Sequence, residues 1–155
     1  MATSKLAESE VVRLVLEVAD NLRPADLAEL MATTEMSPRT ALIASWAAST
    51  VSWFILDRHG SPIGIFGVAP HLTPGLGVVW LMGTKGVERE AVSVARQTRP
   101  FLDEMQRLFP VLWNHVDARN TLSLRWLEWA GFRITDAHLH HGPERRLFFE
   151  FARTS

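Results

Sequence analysis

The chain has 155 residues, 47% of them hydrophobic and 21% charged, with a net charge of −1, as expected for one ordinary globular domain with its own core. The absence of cysteine excludes disulfides, thiolate nucleophiles and Cys-ligated zinc, and the near-neutral balance argues against a basic nucleic-acid surface. No apolar run approaches the ~18 residues of a membrane span, and no basic start leads into an apolar stretch, so neither a membrane nor nucleic acid is an expected partner and a cytoplasmic location is expected.

In chain order, residues 2–6 can form a short first strand. Glu8 and Glu10 then mark the start of a helix from about Ser9 to Leu22, with Val12, Val15, Leu16 and Ala19 on one face. Pro24 fits the first turn of a second short helix through Leu27 and Leu30. Ser37-Pro38 repeats this cap-then-proline signal and opens a third helix through Ala41, Ile43 and Trp46. The period then changes. Val51–Asp57 and Pro62–Val68 are β-rich runs joined by the hairpin signal Arg58-His59-Gly60-Ser61, and Gly77–Met82 is a third run. After Gly83-Thr84-Lys85-Gly86, apolar positions from Ala91 to Leu108 keep a helical period. Pro100 falls inside this helix and predicts a kink or break near Arg99. Pro110 ends it, Val111–Val116 reads as a strand, and Leu147–Phe151 supplies the last one.

Residues 113–134 carry the strongest pattern. A buried strand leads to Asn120, a natural N-cap; Leu122, Trp126 and Trp129 then share one helix face, and Gly131-Phe132 restarts a strand. Strand, Asn, helix and Gly-Phe in this order resemble the last third of the GNAT (GCN5-related N-acetyltransferase) fold. The helices, three-strand meander and final helix–strand–helix–strand–strand follow the GNAT order over nearly the whole chain. The resemblance implies a mixed α/β (α+β) fold, a single domain over residues 1–155 with a central mixed sheet flanked by helices. It also implies transfer of an acyl group from acetyl-CoA to an amine acceptor.

Several fragments are similar to a GNAT-like subgroup encoded by bacteriophages, which includes an internal virion protein of short-tailed phages. They are Leu22-Arg-x-x-Asp-x-x-Glu-Leu30, Ile65-Phe-Gly-Val68 before Pro70, Val79-Trp-Leu-Met-Gly-Thr84, and Asn114-x-Val-Asp-x-x-Asn120 with Trp126-Leu127. That likeness implies virion or host proteins as the alternative partners, with a structural or host-factor-binding role in place of catalysis.

The resemblance also points to individual residues. The acyl-CoA pyrophosphate would lie at Gly83–Glu88, where Gly86 matches the family pattern and Lys85 offers a phosphate contact, while Glu88 stands where the pattern has a small residue. Asn120 is either an N-cap or a contact to the CoA arm, and Arg119 beside it either pairs with Asp117 or binds an anion. His115, whose ring titrates near neutrality, and Glu29 are candidate bases, with Asp26 beside Glu29 at i, i+3. Asp26 and Glu29 read equally as a solvated helix face. No tyrosine exists to serve as the late-helix acid, and Leu127 stands where one is common. His138 and His140 would share a strand face, a spacing able to bind metal, but a polar hairpin loop closed by Gly142-Pro143 explains the run, so no metal is expected.

Overall fold

In the computed structural model, which describes residues 1–154, three helices precede the first strand. Helix α1 (Glu8–Asp20) buries Val11, Leu14, Val15, Val18 and Ala19, an i, i+3, i+4, i+7, i+8 stripe. Helix α2 (Pro24–Thr33) starts on its proline, and α3 (Pro38–Ala48) is capped by Ser37, whose hydroxyl accepts from Thr40 N. The meander follows as β1 (Val51–Leu56), β2 (Pro62–Pro70) and β3 (Leu76–Gly83). Then come α4 (Lys85–Arg89), α5 (Ala91–Leu108), β4 (Val111–Asp117), α6 (Thr121–Trp129), β5 (Arg133–His141) and β6 (Arg146–Thr154).

The six strands form one sheet in the order β1-β2-β3-β4-β6-β5, with β3 and β4 parallel and every other pair antiparallel. Alternation along β1 sends Phe54 into a core with α1, α3 and Ile65, and Trp53 into a second core with Leu102 and Met105 of α5. The mixed α/β expectation therefore holds.

Three local readings change. Residues 2–6 give one bridge, Ala2 to Trp53, and a 3-10 turn at Thr3–Lys5. The Thr3 hydroxyl turns inward to Ser52, 2.7 Å away, where the chain leaves the sheet edge for the 3-10 turn. Pro100 does not break α5: the residue is exposed, so its ring and the carbonyl it leaves unpaired face water. The interruption lies instead at Glu90, between α4 and α5. The histidines 138, 140 and 141 belong to β5 itself, and only residues 142–145 form the turn.

That turn is wedged against α2. Gly142 has φ +73°, and a Cβ there would run into the Ala32 carbonyl oxygen. Gly142→Ala combines left-handed strain with a backbone clash, and is expected to lower unfolding free energy by about 1–3 kcal/mol in urea titrations.

Candidate active site

The parallel pairing of β3 with β4 lasts for three residue pairs, Leu76–Val111, Gly77–Leu112 and Val78–Trp113. Beyond them the strands diverge. Asn114 clasps the fork, its Nδ2 donating to Val79 O at 2.7 Å. Divergence deprives only the facing edges of the two strands of ladder partners at their far ends, and buried amides there must be satisfied elsewhere. Helix α2 supplies them. Asp26 Oδ2 accepts from Gly83 N (2.8 Å), at the end of β3, and Glu29 Oε1 accepts from Asp117 N (3.1 Å), at the end of β4. The i, i+3 spacing that aligns two carboxylates on one helix face thus lets α2 span the gap.

Asn120 joins the two acids, its Nδ2 donating to Glu29 Oε2 at 2.6 Å and Asp26 Oδ1 at 3.2 Å. Its Oδ1 caps α6 through Ser123 N and accepts from Arg23 Nη2 at 2.8 Å. Arg23 is 1% exposed. The same guanidinium reaches Asp26 Oδ1 (2.7 Å), Ser123 Oγ (3.1 Å) and Glu88 Oε1 (3.5 Å). Arg23 Nε alone has no partner among the described residues.

Enclosure sets the protonation of these groups. Burial pushes the Glu29 carboxyl up to about 7; bonds from Asn120 and Asp117 N oppose this, and the charges of Asp26 and Asp117 add to it. Burial also raises Asp26, against the pull of Arg23 and the Gly83 and Asn120 bonds. Burial works to raise Asp117 too, but the Arg119 hydrogen bonds outweigh it and leave this carboxyl below its ordinary value. Glu29 and Asp117, joined by a backbone bond, are therefore driven apart, which is how one site comes to hold carboxylates of different proton affinity.

A cavity of about 150 Å³ fills the fork. Its wall is mostly apolar, with Phe66, Leu102, Trp126 and Leu127 prominent and Glu29 and Ser123 as polar points. Helix α6 has no fully buried residue, because its apolar face covers this space in place of closing on the sheet. Trp129 at its end is held from outside by Arg99, whose guanidinium lies 4.4 Å over the ring and donates to the Trp129 carbonyl.

The remaining sequence candidates fall around this centre. Lys85 is exposed at the start of α4, and the Gly86 amide bonds to Thr84 Oγ1 at 3.1 Å. Packing alone demands glycine at 86, since a Cβ would sit 2.6 Å from Ile63 Cγ2. Glu88, an unwelcome acid beside a phosphate, is partly offset by Arg23. Arg119 is bound to both oxygens of Asp117. His115 lines the same cavity as Glu29, and burial, with His141 nearby, lowers its pKa, so the ring is neutral at pH 7. Asp26, Glu29 and Asn120 come together in one network, whereas Lys85 and Arg119 lie outside it. Ser123 and the hub role of Arg23 were missed by sequence reasoning. The signals were there: Ser123 is the residue whose amide an Asn120 cap must reach, and Arg23 is the second residue of the Leu22–Leu30 fragment.

No protein-family model matches the chain, and no curated protein matches it. Solved structures do. The chain is similar to a GNAT-family acetyltransferase from Bacillus anthracis at 13% identity and TM-score 0.69, covering 95% of this chain and 90% of that one. A GCN5-related N-acetyltransferase from Kribbella flavida superposes at 17% identity and TM-score 0.68, with 96% and 95% covered. The ribosomal-protein-S5-alanine acetyltransferase from Vibrio fischeri gives 12% identity and TM-score 0.68, with 96% and 90% covered. Together with the forked six-stranded sheet, these superpositions over nearly the full length show that the chain has the fold of the GNAT acetyltransferases.

Proposed function

We propose that the protein transfers an acyl group from acetyl-CoA to an amine, with Glu29 as the general base. The observation that carries this reading is the enclosed Glu29 carboxyl at the wall of an apolar cavity inside a forked sheet. An apolar slot between diverging strands suits the thin arm of an acyl thioester. Lys85 stands at the loop that would meet the phosphates. As the amine attacks the carbonyl carbon, nitrogen must lose a proton, and the Glu29 carboxylate takes it. The departing thiolate takes its proton from solvent, to which Glu29 in turn releases the one it accepted. Ser123, whose oxygen accepts from Arg23 and whose own hydrogen is left to donate, can hydrogen-bond the sulfur as it leaves.

Purified protein should gain several degrees in melting temperature with millimolar acetyl-CoA, because a ligand bound only by the folded state stabilises it by mass action. An unchanged melting curve would sink the reading.

One observation favours a second function. The Gly86 amide is taken by Thr84 Oγ1 and the Val87 amide by the Thr84 carbonyl, which leaves little of a phosphate cradle. In that reading the chain is a bacteriophage protein of GNAT fold, acting by contact with virion or host proteins. Mass spectrometry of purified particles tests it directly.

A further inference from the structure

Leu112 and Val116 face the α5 core, so strand alternation turns Trp113 and His115 to the other face of the sheet. There three neighbouring strands bring imidazoles and a carboxylate together. His115 on β4 stands opposite Glu150 on β6, and His138 on β5 stands opposite Phe148, two residues along. The register slips between His138 and His141, so that His141, and not His140, joins the group. The His115 ring lies 4.4 Å from that of His141 and 5.1 Å from that of His138.

One donor atom from each of His115, His138 and Glu150 lies within 4.8 Å of the others, and His138 Nε2 is 3.1 Å from Glu150 Oε2. Zinc with ligand bonds of about 2.0–2.1 Å holds tetrahedral donors about 3.4 Å apart, so small side-chain rotations would close this set on an ion. Trp113 Nε1 donates to Glu150 Oε1, which fixes the carboxylate and leaves Oε2 facing the histidines. Ligating carboxylates are ordinarily held by a hydrogen bond from outside the metal shell, and Trp113 supplies one here. A plain His138–Glu150 ion pair would need neither His115 beneath it nor His141 stacked on His115. All three ligands stand on hydrogen-bonded strands, so binding orders little additional chain.

We propose that His115, His138 and Glu150 bind a divalent first-row metal ion of the zinc class, leaving a coordination position open to solvent. Two imidazoles and one carboxylate select zinc, cobalt or nickel over magnesium and calcium, which prefer all-oxygen shells. Glu29 and its network contribute no ligand, and the site meets the acyl cavity only at His115, which also lines that cavity.

The test is calorimetric titration of untagged, EDTA-dialysed protein with Zn²⁺, alongside the visible absorption of a Co²⁺ titration. The expected result is one ion per chain at micromolar affinity, with cobalt bands of a low-coordinate N/O site. His138→Ala and Glu150→Gln should each weaken binding about tenfold or more. His140→Ala, on the same strand but outside the group, should leave it unchanged. Circular dichroism checks folding, and if one variant is unfolded the other decides. Absence of stoichiometric uptake, or equal binding by the wild type and both ligand variants, overturns the proposal.

Discussion

Replacing Glu29 by glutamine should lower kcat by roughly 10²–10⁴-fold while leaving the KM for acetyl-CoA nearly unchanged. The side chain keeps its size and its place on α2, but it can no longer accept a proton. The pH profile gives a sharper readout than the loss itself. A base must be ionised to act, so wild-type kcat/KM should fall as pH drops through about 7, the value to which burial raises this carboxyl. An acidic limb near 4.5, the ordinary value for glutamate, would remove Glu29 from the role. Stability moves the opposite way. A carboxyl raised in the folded state contributes stability that is complete below its unfolded value of 4.5 and is lost as pH rises through about 7. Denaturant midpoints of the wild type should therefore decline more steeply over that window than those of Glu29→Gln, apart from a pH-independent offset. The offset arises because an amide cannot accept from both Asp117 N and Asn120 Nδ2.

Arg23→Met should destabilise the fold by about 3–5 kcal/mol, the usual cost of removing one partner from a buried ion pair. Methionine fills much of the space, so the loss is chiefly electrostatic. It leaves Asp26 enclosed without its countercharge, and it removes a donor from Asn120 Oδ1 and from Ser123 Oγ. Asp26→Asn in the same chain should recover part of the loss, and the double variant should be less destabilised than the sum of the singles. Chemical denaturation of all four proteins at pH 7 measures the coupling. Strict additivity would show that Arg23 and Asp26 do not act as a unit.

The fold was largely legible because its signals are local. Pro24, Pro38, Asn120 and Gly131 each mark an element boundary through their own backbone requirements, and the structure places helix ends at all four. Pro100 misled for a related reason. Its effect depends on which way the helix faces, and periodicity does not say how much water reaches the Arg96 carbonyl. The break at Glu90 had no signal at all. The site was legible only in part. Asp26 and Glu29 share a helix face whether that face meets water or the ends of two strands, and only the fork in the sheet decides between these readings. The His115–Glu150 pairing was beyond reach because residues 35 positions apart become neighbours through a strand register that no short window of sequence contains.

The fork has a thermodynamic consequence. Glu29 bonds to Asp117 N at the end of β4, while Asn120 joins it to Asp26, which holds Gly83 N at the end of β3. Strand separation and proton affinity are therefore two faces of one equilibrium. Whatever wedges β3 away from β4 and loosens these contacts changes how tightly Glu29 holds its proton, and by reciprocity the proton changes how tightly the wedge is held. Calorimetry in buffers of different ionisation enthalpy would register that linkage as protons released or taken up when the fork is filled.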